Sequence, residues 1–207
     1  MYQKTAALIK NPVVINVILA TLSFFALLLV TVIITTQGFK HNRGLSFYGE
    51  HWSTAVPYGS GFILCDYFLL RAANALPRKD KTSRLLYIFI NILTLLLLSV
   101  LLTPDTLNSF FNWSHIIVSS VLFLFELYFA VWLSLNCYRD WIVLALLALQ
   151  FLAGIFAMLS QFHYVYYLSE SSLFFQFFFG ILLAYALAKF VQDPIKRRKD
   201  PAPRLKV

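Results

Sequence analysis

The chain has 207 residues, 60% of them hydrophobic and 13% charged, with a mean hydropathy of +0.74 and a formal net charge of +8. A soluble domain of this size carries about 25% charged residues, so the composition excludes a water-soluble globular fold. Six long apolar runs take most of the length and leave no room for a second folded domain. They fall at 13–35, 58–76, 85–103, 113–136, 141–163 and 171–191. Each is long enough for a hydrocarbon core that needs roughly 20 helical residues.

Residues 1–12 form a short lead-in, and Asn11-Pro12 is a natural helix start because proline is tolerated in a first turn. The first run exceeds the 7–15 apolar residues of a signal peptide and ends in no small-residue cleavage site, so it reads as an uncleaved helix. The connection 36–57 is the longest, and it is rich in glycine, aromatic and polar residues. Long connections of this kind carry function more often than short ones. The loop 77–84 is basic and opens on Pro77. Asn112-Trp113-Ser114 matches a glycosylation sequon but abuts the fourth run. The turn 137–140 is so tight that the fourth and fifth helices must be antiparallel neighbours. The expected domain is a single six-helix unit over 1–195, followed by a basic tail over 196–207 that suits anionic lipid headgroups. There is no internal repeat.

An even number of spans puts both termini on one side of the membrane. With that side cytoplasmic, fifteen Lys and Arg lie inside and two, Lys40 and Arg43, lie outside. This is the positive-inside pattern. The basic charge therefore reports topology, and no aromatic-basic motif points to nucleic acid. Trp113, Trp141, Tyr58, Tyr138, Tyr164, Tyr166 and Tyr167 stand at run ends, where an aromatic belt is expected. Cys65 and Cys137 lie at different depths and read as packing residues without metal spacing.

Ionisable residues within a span cost about 2.5–3.5 kcal/mol each on insertion scales, which makes Asp66 and Glu126 candidates for function. Asp66 and Arg71 stand about 140° apart on their helix, so a pair between Arg71 and Glu126 is the better expectation. His115 and Glu126 fall within about 20° of one helix face, with Ser119 on the same stripe and the carboxylate about 16 Å deeper. Gln150, Gly154 and Gln161 make a similar stripe on the fifth run. Small and polar stripes of this kind serve helix–helix contact or line a wet cleft. His41, His51, His115 and His163 all fall on the outer side, joined there by Glu50 and Glu170.

Several chemistries do not fit. Two-haem electron transfer needs axial histidines at both depths, and none stands in the inner half. Lys189 is too near a span end for a retinal Schiff base. Gly59-Ser60-Gly61 with His163 is a short and poor match to an intramembrane serine hydrolase.

The stretch Gly44-Leu45-Ser46-Phe47-Tyr48-Gly49, Gly59 and Gly61 in the second run, and Asn112-Trp113-Ser114-His115 at the fourth resemble the autophagy-modulator/Sfk-type six-helix membrane family and its bacterial relatives. The resemblance implies a six-helix bundle and a link to membrane lipid organisation, with no established chemistry. Glu50-His51-Trp52 has no counterpart in that pattern.

The expectation is an all-α polytopic bundle of six transmembrane helices with both termini cytoplasmic. Its leading function is non-enzymatic binding of a lipid or small polar ligand in an outward-facing cleft, or scaffolding of a membrane-protein partner. The ligand residues expected are Ser46, Glu50, His51, Asp66, His115 and Glu126, with no metal, no cofactor and no nucleic acid. The alternatives are a lipid-modifying hydrolase or metal site using the outer His/Glu cluster, and a small transporter with Asp66 and Glu126 as proton-coupled groups. The Thr36-to-Pro57 connection is expected to fold over the outer mouth through Gly44 and Gly49. Phe47, Tyr48 and Trp52 would bury there and bring Glu50 or His51 near His115.

Overall fold

A computed structural model describes residues 11–38, 44–78, 80–104, 108–162 and 164–192, and the backbone of 39 and 40. Residues 1–10, His41, Lys79, His163 and the basic tail lie outside the described residues. Helices are α1 Pro12–Ile34, α2 Gln37–Lys40, α3 Phe47–Glu50, α4 Trp52–Ala75, α5 Lys81–Leu101, α6 Ser109–Asn136, α7 Trp141–Gln161 and α8 Leu168–Gln192. No strand occurs among the described residues.

The helix starts follow from local chemistry. Asn11, Asp80, Asn108 and Asp140 each accept a hydrogen bond from a first-turn backbone N–H, at Val13, Ser83, Phe111 and Val143. These caps satisfy donors that a helix N-terminus leaves without an intrahelical partner. Within the helices, hydroxyls and amides turn back on their own backbone. Thr21 bonds the Val17 carbonyl, Thr31 that of Leu28, Asn91 that of Tyr87 and Thr94 that of Ile90. Where water is absent, such self-satisfaction is the cheapest way to carry a polar side chain.

Five helices, α1, α5, α6, α7 and α8, are long and apolar enough to cross a membrane. The bundle's outer surface is correspondingly apolar, with Leu22, Leu29, Ile33, Leu95, Leu124 and Leu135 all exposed. An apolar surface of that extent is compatible with an integral membrane protein. The remaining predicted span lies inside α4, a 24-residue helix. Gly59-Ser60-Gly61, Asp66, Arg71 and Asn74 dilute its apolar content. Six helices of spanning length are therefore present, and five have the composition of a span.

The long helices pack as a ring. α1 lies between α4 and α8, α4 against α5, and α5 against α6, and α6 closes on α8. α7 packs mainly on α8 and touches α6. Two glycines set the closest approaches. A Cβ on Gly61 would lie 3.3 Å from Leu27 Cβ on α1, and one on Gly180 would lie 2.8 Å from Thr21 Cγ2. Phenylalanine fills the remaining space: Phe24 meets Phe62 edge-on at 5.2 Å, and Phe123 stacks on Phe175 at 4.5 Å.

Charge separates along the bundle axis. Arg71, Arg78, Lys81, Arg84, Arg139 and Lys189 all stand where α4, α6 and α8 end and α5 and α7 begin. At that end the Tyr185 hydroxyl donates to Asp140 at 2.7 Å, tying α8 to the turn before α7.

The described parts of the 36–57 connection are largely helical. They hold α2 and α3, and α4 begins at Trp52, six residues before the predicted start. Pro57 sits within α4 near its first turns, where the bond it forfeits lies close to the helix end. Phe47 and Tyr48 are buried as expected, but Trp52 is 96% exposed. It occupies the first residue of α4 and points away from the bundle. Tyr58 is also corrected: it is buried against Gly49 and Phe62 and takes no part in an interfacial belt.

Candidate functional site

The 44–50 segment is held down by its own bonds. The Thr54 hydroxyl on α4 donates to the Tyr48 carbonyl at 2.7 Å, and Ser169 on α8 donates to the Gly38 carbonyl at 3.2 Å. Gly38 and Gly49 are small because rings occupy the space beside them. A Cβ on Gly38 would meet Phe47 and Tyr48 at 3.0 Å, and one on Gly49 would meet Tyr58 at 3.0 Å. Tyr48 is fully buried, and burial followed by the nearby Glu170 carboxylate pushes its phenol up to about 12.

Beneath this segment lies a cavity of about 800 Å³. It sits at the end of the bundle opposite the basic residues, and every long helix contributes to its wall. Three of the residues expected from sequence, Ser46, Glu50 and His115, line it together. Ser119, on the stripe below His115, and Gln161 of α7 line it too. Its size falls within the range of small-molecule sites, about 300–1,000 Å³.

His115 is fixed by a 2.7 Å contact between Nδ1 and the Thr103 carbonyl. A carbonyl only accepts, so Nδ1 carries the hydrogen and Nε2 of the neutral ring is left as an acceptor. The Ser119 hydroxyl in turn donates to the His115 carbonyl. Deeper down, Gln176 of α8 lines the cavity and its Nε2 donates to Glu126 Oε2 at 2.8 Å. Glu126 is 1% exposed, so it stands behind Gln176 and not on the open wall.

The other expected residues are placed differently. His51 does not line the cavity. Its Nδ1 lies 2.9 Å from the Phe47 carbonyl, and its ring packs at 4.1 Å on Phe47, which fastens α3 to the start of α4. Asp66 is buried, lies off the cavity wall, and neither oxygen has a hydrogen-bond partner among the described residues. The Arg71–Glu126 pair does not form. Arg71 is exposed and takes a 3.2 Å hydrogen bond to the Tyr67 hydroxyl on its own helix. One turn from the helix end, it reaches the interface more easily than the bundle interior. Gln150 is fully buried, and neither amide atom has a hydrogen-bond partner among the described residues, while Gly154 takes the Phe123 ring against its backbone.

Gln176 escaped the sequence reading. A neutral amide with a partner 50 residues away leaves no periodic trace. Its one signal was a lone glutamine within Leu173–Phe179, a run otherwise built of phenylalanine and leucine. Asn112 and Ser172 also line the cavity and were not singled out for it. Among the described residues no group of three or more His, Cys, Asp or Glu is placed to hold a metal ion. A second, shallower groove of about 400 Å³ runs between α7 and α8, but its wall is almost wholly apolar apart from Glu170 at one end.

Comparison with known families, characterised proteins and solved structures finds no match to this chain.

Proposed function

We propose that this chain is a multi-pass membrane protein that binds a lipid or small polar ligand in the cavity under the 44–50 segment. The single observation that carries the reading is the make-up of that cavity. Polar groups from separate parts of the chain, Glu50, His115, Ser119, Gln161 and Gln176, converge on one space walled by aromatic rings. Convergent polar groups in an apolar pocket are the usual form of a small-molecule site. The concentration of basic residues at the opposite end supports an outward-facing mouth, with both termini in the cytoplasm.

The test is native mass spectrometry of protein extracted in mild detergent. A bound molecule should be retained by the wild type and lost from Ser119→Phe, which places a ring in the cavity. Retention of the same mass by the filled variant would sink the proposal.

A further inference from the structure

We propose that the occupant of this cavity is a membrane lipid that enters sideways through a slot between α6 and α7, with its polar head inside and an acyl chain lying in the slot. The inference rests on the reading that the cavity is a binding site, and it names the class of molecule and its route. The observation is a set of residues that face two ways. Ile116, Ser120 and Leu124 of α6 line the cavity and are also exposed on the outside of the bundle. Met158 of α7 and Phe162 at its C-terminal cap do the same. Each set is spaced by four residues, so each is one stripe along its helix. Residues that belong to both an inner wall and an outer surface stand at an opening. Behind them the wall is closed to the outside, where Leu122 on α6, Ala157 on α7 and Phe175 on α8 are buried. At the deep end Phe123 stacks on Phe175 at 4.5 Å and fills the space beside Gly154, which bridges the three helices.

Depth decides what can use such an opening. The stripe from Ile116 to Leu124 runs about 12 Å at roughly 1.5 Å per residue. It reaches the middle of α6, a 28-residue helix with the composition of a span. With α6 crossing a bilayer, the slot lies at hydrocarbon depth, and its rim is apolar except for Ser120. A water-borne polar molecule would have to shed its hydration to arrive by that route. A lipid chain moves from bilayer to slot between surfaces of the same kind, at no such cost. Its head meets hydrogen-bond partners that hydrocarbon lacks. Ser120 and Ser172 carry hydroxyls, and Asn112, Gln161 and Gln176 carry amides, so the wall offers donors and acceptors alike. The 44–50 segment covers the end of the cavity, and the slot is a way in that leaves this cap in place.

The experiment uses the full chain in phosphatidylcholine nanodiscs. The lipid probes are phosphatidylcholine, phosphatidylglycerol and diacylglycerol, each with a diazirine midway along one acyl chain. A water-soluble aryl diazirine bearing a hydroxymethyl group is the chainless probe. After irradiation the labelled residues are mapped by peptide mass spectrometry. At least one lipid should label Leu97 and Leu122, which line the cavity and are buried, as well as Leu29 on the exposed surface. Met158→Trp, which narrows the slot, should cut the cavity label about tenfold relative to Leu29. Phe162→Ala, which widens the slot, should raise it, and it carries the test should the first variant misfold. Cavity label from a lipid that neither variant changes would overturn the slot as the route. Cavity label from the chainless probe with none from any lipid would overturn the lipid class and leave the cavity as the site. No cavity label from any probe would overturn the binding-site reading itself. The Leu29 label and size-exclusion profiles separate lost access from lost folding.

Discussion

Glu126 is the residue whose surroundings are most demanding. It is buried among apolar helices and has one hydrogen-bond donor, the Gln176 amide. Glu126→Gln keeps an acceptor facing Gln176, whereas Glu126→Leu removes it. Losing such a bond, when its donor is part-buried at a cavity wall, costs about 0.5–1.5 kcal/mol. Unfolding of Glu126→Leu in a mixed-micelle denaturant titration should show a loss of that order, with Glu126→Gln close to the wild type. Equal losses would mean that packing volume, and not the hydrogen bond, dominates. Tyr48 makes a second residue-level prediction. Its folded phenol is raised to about 12 from an ordinary value of 10, chiefly by burial. A group raised in the folded state contributes stability that is fully present below its unfolded value and lost as pH climbs through its folded one. Stability should therefore fall between about pH 10 and pH 12. Tyr48→Phe, which cannot ionise, should move the alkaline midpoint upward. A midpoint that stays in place would show that ionisation of Tyr48 does not open the cap.

At the scale of elements, helix–helix contact depends on small residues where backbones come close. Gly180 on α8 faces Thr21 on α1, whose hydroxyl is already held by the Val17 carbonyl. Thr21 is β-branched and restricted in rotamer, so it has little freedom to move away. Gly180→Ala should destabilise by about 1–3 kcal/mol through overpacking. Adding Thr21→Ala should recover much of that loss, and additive losses in the double variant would count against direct contact. The elements also show how far the sequence could be read. The runs of α1, α5, α6, α7 and α8 were legible because a lipid-facing helix must be apolar along its length. α4 was legible as a helix, yet its polar and glycine content leaves it short of a span by composition. The packing of the 44–51 segment was only half legible. Gly49, Phe47 and Tyr48 announced a packed cap, but nothing in Trp52 distinguishes a buried indole from one turned outward. In the site, the stripe through His115 and Ser119 could be read from helical period alone. Gln176 could not, since its role depends on which helix closes the ring beside α6. His51 was chosen because it falls on the outer side with the other histidines and Glu50, and Asp66 because an ionisable group within a span is costly. A local contact to Phe47 absorbs the first, and α4 turns the second away from the cavity.

For the molecule as a whole, two gradients run along the bundle in opposite senses. The described basic residues from Arg71 to Lys189 gather at one end, and the cavity with its mixed polar and aromatic wall lies toward the other. The first gradient bears on insertion, because cytoplasmic loops retain Lys and Arg. The second concerns the cavity, whose end is covered by the 44–50 segment. If the positive-inside pattern holds, the cavity faces away from the cytoplasm and both termini face into it. The exposed turn between α6 and α7 contains Arg139, and the cap contains Ser46, so the two report opposite ends of the same bundle. In a Cys137→Ala background, Ser46→Cys should react with a membrane-impermeant maleimide applied to intact cells. Arg139→Cys should react only after the membrane is opened. The reverse pattern would place the cavity on the cytoplasmic side. It would also overturn the outward-facing mouth, because a single inversion of the bundle carries the cap, His115 and Gln176 with it.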